Sequence, residues 1–111
     1  MKDRNMTVKL SLGQVELLLS KKLCGNVGAV LSDRKELETS NGKGSILVFT
    51  KLYKRSVSVY GLTVVIKPVD GLCEVNWSAS SGRNGIPVVG DLGAENAFCR
   101  EVCSALEPYK I

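Results

Sequence analysis

The sequence predicts an α+β fold, an antiparallel meander of four to five strands with two helices packed on one face. Three observations predict it. Apolar residues recur every three to four positions in two segments, one near each end of the chain. Between these segments apolar residues alternate with polar ones, and turns containing glycine separate the alternating runs. Short turns join antiparallel neighbours, so we expect a sheet with one face covered by both helices.

The first helix is predicted over residues 12–23, after a short strand over residues 6–10. Ser11 precedes the helix and is a preferred N-cap residue. Gly25 follows it, and a glycine there can adopt the left-handed conformation that ends many helices. The apolar stripe that should face the sheet consists of Leu12, Val15, Leu18, Leu19 and Leu23.

Four strands are predicted in the middle of the chain, over residues 27–32, 45–53, 57–67 and 72–79. Residues 33–39 should continue the first of them as an exposed extension. Asn41-Gly42 marks the turn that follows, because these residues tolerate the positive φ that hairpins require. The sequence Pro-Val-Asp-Gly at residues 68–71 predicts a second turn.

The last strand indicates which sheet face is buried. Cys73, Val75 and Trp77 alternate with polar residues, so these three side chains should point toward the helices. The second helix is predicted over residues 92–107, where Pro108 stops it. The shared core should therefore contain Trp77, Val75 and Cys73 together with Leu19, Phe98 and Val102.

The strand over residues 57–67 is apolar on both of its faces. A two-layer domain covers only one face, and an uncovered apolar patch usually marks a partner surface. This predicts a homo-oligomer that forms through a sheet edge or through the second sheet face. The two alternating sets are Val57, Val59 and Val65 on one face and Tyr60, Leu62, Val64 and Ile66 on the other.

Length and composition limit what the chain can be. Its 111 residues, 44% of them hydrophobic, suffice for one domain with its own core, and residues 1–5 are expected to form a flexible N-terminus. The sequence has neither a membrane-length apolar run nor the apolar core of a signal peptide, so we expect a cytoplasmic protein. A net charge of +4 is too mild to indicate nucleic-acid binding.

The absence of histidine excludes Ser-His-Asp and Cys-His catalysis and histidine-ligated metal sites. The four cysteines lack the spacing of zinc or thioredoxin-like motifs. We expect all of them to be reduced, metal-free and buried as small apolar residues, and we expect no enzymatic activity and no cofactor. They are Cys24, Cys73, Cys99 and Cys103.

The loop between Ser80 and Gly90 is the segment best suited to bind a ligand. Its glycines let other groups approach the backbone, and Asp91 opens the next helix, whose first amides can bind an anion. Two interpretations are open: an anion or metabolite site with Arg83 as counter-charge, or a structural loop in which Asp91 caps its own helix. Glu74 and Glu95 are the acidic residues expected near this loop. The candidate ligand-binding residues are Arg83, Asn84, Gly85, Leu92, Gly93 and Ala94.

A group of basic residues is expected on neighbouring strands and a turn. They form either a phosphate-contacting patch or solvent-facing charge that protects sheet edges. No row of aromatic residues accompanies them, which favours the second interpretation. The residues are Lys51, Lys54, Arg55 and Lys67.

Three segments of the chain carry a family resemblance: Val48-Phe49-Thr50-Lys51-Leu52-Tyr53, Leu62-Thr63-Val64-Val65 and Gly90-Asp91-Leu92-Gly93-Ala94-Glu95-Asn96-Ala97-Phe98. In these segments the chain resembles a group of small bacterial proteins, mostly from anaerobic Gram-positive species, that share a domain of unknown function. The resemblance covers roughly the C-terminal two-thirds of the chain. It implies a bacterial origin and the same fold, and it transfers no activity and no site residues.

Together these observations predict a non-enzymatic binding or interaction module of a bacterial cytoplasm, homo-oligomeric and not membrane-bound. The alternative is a domain that binds a small anion or metabolite at the loop between Ser80 and Gly90 and at the N-terminus of the last helix.

Overall fold

The computed structural model describes the backbone of residues 5–53, 58–83, 86–87 and 92–111. Side chains are described for the same residues except 26–27, 52–53, 58, 80–83, 86–87 and 92–98. The elements, in chain order, are β1 (Asn5–Val8), α1 (Leu12–Lys22), a π-helical segment (Leu23–Val27), β2 (Val30–Thr39), β3 (Gly42–Tyr53), β4 (Ser58–Val69), β5 (Leu72–Arg83), β6 (Ile86–Pro87), α2 (Leu92–Leu106) and a 3₁₀ turn (Glu107–Tyr109).

The strands form one antiparallel sheet in the order β1-β5-β4-β3-β2, and the short β6 pairs with the end of β5. The strands β2 to β5 follow one another as a meander, whereas β1 joins the sheet beside β5, on the far side from β2. Both helices pack on one face of this sheet, so the predicted α+β architecture is confirmed.

The core lies between the helices and the sheet face that carries Cys73, Val75 and Trp77. These three side chains are buried, and Trp77 is only 3% exposed. Leu19 of α1 and Val102 of α2 are fully buried in the same cluster, which confirms the predicted register of the last long strand. The predicted core side chain of Phe98 lies outside the described part of the chain.

The predicted start of α1 is confirmed, but its predicted end is wrong. Ser11 caps the helix, because its hydroxyl accepts from the Gln14 amide while the Gln14 side chain accepts from the Ser11 amide. At the other end the chain stays wound as a π-helical segment, and Gly28, not Gly25, adopts the left-handed conformation, with φ 78°. This longer path lets both Leu23 and Ala29 enter the core, so β2 begins only at Val30.

Both predicted hairpin turns are present and tight. Thr39 of β2 pairs with Gly42 of β3, whose φ of 123° provides the positive dihedral. In the second hairpin Asp70 and Gly71 have φ values of 48° and 79°, as a type I′ turn requires. The strand β4 runs on through Pro68 and Val69, so this turn is shorter than the four residues predicted.

The strand β5 is longer than predicted, reaching Arg83 and not ending at Ala79. The long β4 offers backbone partners along its whole length, and pairing with it overrides the weak strand propensity of serine and glycine at residues 80–82. The helix α2 ends at Leu106, where Glu107 begins the 3₁₀ turn that contains Pro108.

Candidate interaction surface

The predicted ligand site is only partly covered by the described residues. Arg83 is the last residue of β5, where its backbone pairs with Ser58 and Ile86. Asn84, Gly85 and Asp91 lie outside the described residues, as do the side chains of Arg83 and of the first turn of α2. The anion site therefore stays a prediction. The remaining candidates, Leu92, Gly93 and Ala94, are the first three residues of α2.

Glu74, which was expected near this loop, lies far from Arg83, the residue expected to supply the counter-charge. Glu74 pairs with Lys67 beside the Asp70–Gly71 turn and accepts a hydrogen bond from Asn76 Nδ2 at 3.1 Å. At about 3.3 Å per residue, the nine residues of β5 that follow it separate Glu74 from Arg83 by roughly 30 Å. The side chain of Glu95 lies outside the described set.

The basic residues expected to share a surface do not do so. Lys51 lies at every second position from the buried Leu47 and Phe49, so its side chain is on the same, helix-covered face. Its Nζ lies 3.8 Å from the position that a Cβ on Gly28 would occupy. Lys67 projects from the opposite face, because its neighbour Ile66 is buried. Lys54 and Arg55 lie outside the described residues. The two described lysines therefore cannot form one phosphate-contacting patch.

The cysteines differ from one another more than the sequence predicts. None of the four forms a disulfide bond. Cys73 is buried, and burial raises the pKa of its thiol. Cys24, in the π-helical segment, is exposed, so the expectation that every cysteine is buried is wrong. Among the described residues no group of three or more histidine, cysteine, aspartate or glutamate side chains is arranged to hold a metal ion.

The sheet surface opposite the helices, here called the open face, carries apolar side chains in its centre. The register defines two adjacent rows of side chains across the strands. Ile46, Val48 and Val65 are half-buried there, while Val59 and Val30 at the margins are 49% and 63% exposed. The first row is Lys35, Ile46, Val65 and Asn76, and the second is Asp33, Val48, Thr63 and Ser78.

This arrangement agrees with the uncovered set predicted for β4. Val59 and Val65 lie on the open face, and Val57 lies outside the described residues. The charges that complete the two rows, Asp33 and Lys35, were not anticipated as part of a surface. Only the pairing of β2 with β3 brings them beside Ile46 and Val48, and a single sequence does not contain that register.

The edge strand β2 is fixed to the helical layer by Arg34. Its Nε donates to Glu16 Oε1 and its Nη2 to Glu16 Oε2 at 3.2 Å, so the guanidinium binds the carboxylate at two points. The same Nη2 lies 3.5 Å from the hydroxyl of Ser45, which is fully buried. This contact holds β2, and therefore Asp33 and Lys35, in a fixed position relative to the core.

The two edges of the sheet are unlike each other. The outer side of β1 is covered by residues 109–111, because Lys9 N–H donates to Tyr109 C=O at 2.9 Å and Ile111 N–H to Thr7 C=O at 3.1 Å. The edge at β2 is exposed along most of its length, carries many charges and has a bulge between Leu31 and Asp33. Charges and bulges discourage strand addition at such an edge.

None of the helices in the described part of the chain has the length and apolar character needed to cross a membrane.

The chain matches no protein-family model, and no curated protein sequence is significantly similar to it.

Proposed function

We propose that the protein is a non-enzymatic interaction module that forms a homodimer through its open face. The observation that carries this proposal is the pair of adjacent rows, with an apolar centre and opposite charges at the β2 end. Solvent-facing sides of antiparallel sheets are usually polar, and a contiguous apolar strip on one usually meets a partner.

A second copy of the chain is the occupant that these charges favour. Asp33 and Lys35 lie two residues apart on the same face, with 3.8 Å between Lys35 Nζ and Asp33 Oδ2. Consider a two-fold axis that lies in the plane of the interface, runs parallel to the two rows and passes between them. Rotation about this axis places the first row of one copy over the second row of the other. Lys35 then meets Asp33 of the partner copy, and Ile46 meets Val48.

The open face is also large enough to form a dimer interface. The strands β2 to β5 are 10 to 12 residues long. At about 4.8 Å between strands and about 3.3 Å per residue, they span roughly 700 Å². A stable interface buries about 800 Å² on each partner, so the face alone supplies most of the area required.

Dimerisation through a sheet edge is less well supported. Residues 109–111 already cover β1, and the bulge and charges of β2 oppose backbone pairing with another chain. Of the two routes expected from the sequence, we therefore propose the face.

Sedimentation equilibrium at micromolar concentrations tests the proposal. The wild-type chain should be a dimer, and Val48→Lys should weaken it at least about a hundredfold, because a lysine would be buried without a partner. Leu17→Lys is the matched control, since Leu17 lies on the helical layer and is 71% exposed. A wild-type monomer would contradict the proposal, as would a Val48→Lys dimer of unchanged affinity.

A mixing experiment tests the two-fold arrangement itself. Asp33→Lys gives each face two lysines and Lys35→Asp gives each face two aspartates, so each variant alone should dimerise poorly. An equimolar mixture should recover dimers, because lysine then faces aspartate at both contacts. If the mixture stays as weak as the separate variants, the proposed axis is wrong.

A further inference from the structure

The helical layer carries a second feature, a groove between α1 and the C-terminal residues. It lies on the helix-covered side of the sheet and so does not overlap the open face. It is lined by Leu10, Gln14, Leu17, Leu18, Lys21 and Tyr109.

Hydrogen bonds fix both walls of this groove. On one side the capping box between Ser11 and Gln14 sets the start of α1. On the other, the backbone bond from Lys9 to the Tyr109 carbonyl holds the C-terminal segment against the residues after β1. A groove with fixed walls loses little conformational freedom when a partner enters it, which favours binding.

The lining is apolar where a solvated helix surface is normally polar. Leu17 is 71% exposed and lies off the buried stripe of α1, while Tyr109 is 41% exposed. Leu10 and Leu18 are half-buried and pack against the hydrophobic core. One exposed leucine needs no explanation, but exposed Leu17 and Tyr109 lining the same concave site form an anchor point for apolar side chains.

One exposed lysine, Lys21, lines the groove, and three more exposed lysines are close to the groove residues in the chain. Lys21 and Lys22 follow Leu17 and Leu18 by one helical turn, and Lys9 and Lys110 are the chain neighbours of Leu10 and Tyr109. No ion pair involves any of them within the described part of the chain, whereas Lys35 and Lys43 on the sheet each have a carboxylate at 3.8 Å. Glu107 is exposed in the same C-terminal segment, so these four lysines leave the surroundings of the groove with a net positive charge.

The helix dipole does not fully account for Lys21 and Lys22. Basic residues are favoured in the last turn of a helix, where carbonyls lack partners. Here the chain stays wound through the π-helical segment as far as Val27, so the unpartnered carbonyls lie beyond both lysines.

We propose that this groove binds an acidic amphipathic peptide segment of a partner protein, with its apolar side chains between Leu17 and Tyr109 and a carboxylate on Lys21. An apolar groove in positively charged surroundings selects a ligand that is apolar on one side and negatively charged on the other. The concave shape fits a peptide better than a flat lipid surface. The proposal does not depend on dimerisation, and it gives a dimer two such sites on its outer sides.

Fluorescence anisotropy with a labelled synthetic peptide tests it. The probe is a helix-forming peptide of leucine and glutamate, with leucines at i, i+3, i+4 and i+7, compared with a scrambled peptide of the same composition. Leu17→Gln keeps helix propensity and should weaken binding at least about fivefold. Lys21→Gln should weaken it similarly and reduce its salt dependence. Lys43→Gln, on the β2–β3 hairpin, is the matched control and should bind as wild type.

The outcomes decide between the peptide and its competitors. Binding of the amphipathic peptide with loss in the Leu17 and Lys21 variants supports the proposal. Equal binding of the scrambled peptide, unchanged binding by both variants, or no binding of the probe overturns it. Vesicles of phosphatidylglycerol and phosphatidylcholine are tested in parallel, and binding to them without binding of the peptide identifies a membrane surface and overturns the proposal as well.

Discussion

Arg34 of the edge strand and Glu16 of the first helix form a two-point ion pair that joins the two layers of the domain. The hydrogen bond and the charge of Glu16 raise the pKa of Arg34. The two residues are 18 positions apart in the chain, and their side chains connect β2 to α1. The free edge of the sheet is thus fixed by a side chain from the helical layer as well as by its pairing with β3.

Replacing Arg34 should loosen β2 more than the core. Arg34→Met keeps the apolar part of the side chain and removes the contacts to Glu16 and Ser45. We expect a lower Tm and faster amide exchange in β2, with little change in β4 and β5. Lys43→Met is the control, because its ion pair with Glu36 is long and exposed and should contribute almost nothing. Equal effects of the two substitutions would show that the Glu16 contact does not restrain the edge.

Gly44 of β3 should not accept even a methyl group. A Cβ at this position would lie 2.3 Å from the carbonyl oxygen of Ile66 in the neighbouring strand. Gly44→Ala must shift backbone against backbone, and we expect a loss of at least about 2 kcal/mol in the free energy of unfolding. Urea denaturation measures it.

Gly13 of α1 provides the matched control for that substitution. A Cβ there meets nothing within 4 Å, and alanine is the better helix former. Gly13→Ala should therefore stabilise the protein, by up to about 1 kcal/mol. Stability unchanged in Gly44→Ala would contradict the close approach of β3 and β4.

The cysteines should react with iodoacetamide in a definite order. Cys24 is exposed and should be alkylated fastest in the folded protein, whereas the buried Cys73 should react only when the protein opens. Peptide mass spectrometry after timed labelling assigns each rate. Labelling of Cys73 as fast as Cys24 under native conditions would contradict the buried register of β5.

The thiol of Cys73 makes the stability of the protein depend on pH. Burial raises the pKa of this thiol, so it ionises at a lower pH in the unfolded chain than in the folded protein. The contribution is therefore complete at neutral pH and is lost as the pH rises through the folded-state pKa. Cys73→Val should flatten the fall of Tm on the alkaline side, measured by thermal unfolding over a series of pH values. An unchanged slope would contradict this prediction.

Trp77 should tolerate phenylalanine much better than alanine. Its indole Nε1 is buried and has no hydrogen-bond partner within the described residues. Phenylalanine removes this unpaired donor, which offsets part of the lost volume, whereas alanine leaves a cavity that costs about 3–5 kcal/mol. Urea denaturation of both variants measures the difference. A Trp77→Phe loss as large as that of Trp77→Ala would show that the donor is satisfied in solution.

The parts of the fold that follow from local periodicity could be predicted from the sequence, and those set by pairing over long distances could not. The alternation of Cys73, Val75 and Trp77 identified the buried face, and Ser11 identified the start of α1. The end of that helix could not be predicted, because it depends on tertiary packing. The chain turns at Gly28 and not at Gly25, and this places both Leu23 and Ala29 in the core.

The candidate surfaces divide in the same way. The apolar alternation in β4 predicted an uncovered sheet face, which the exposed Val59 bears out. The groove was not predicted, since it depends on Tyr109 returning to Lys9 from the far end of the chain. A signal for it was nonetheless present: Leu17 is apolar on the polar side of an otherwise regular stripe.

The position of β1 has a consequence for how the chain folds. The strands β2 to β5 meet their neighbours across short connections, but β1 pairs with β5 only after the chain between Asn5 and Asn76 has been gathered into a loop. The entropy lost in closing that loop makes this pairing late, so the hairpins should form the nucleus and β1 should dock last. By the same reasoning, β1 and the residues 109–111 that lie against it should be the first to separate in transient openings of the native protein, and the hairpin strands the last.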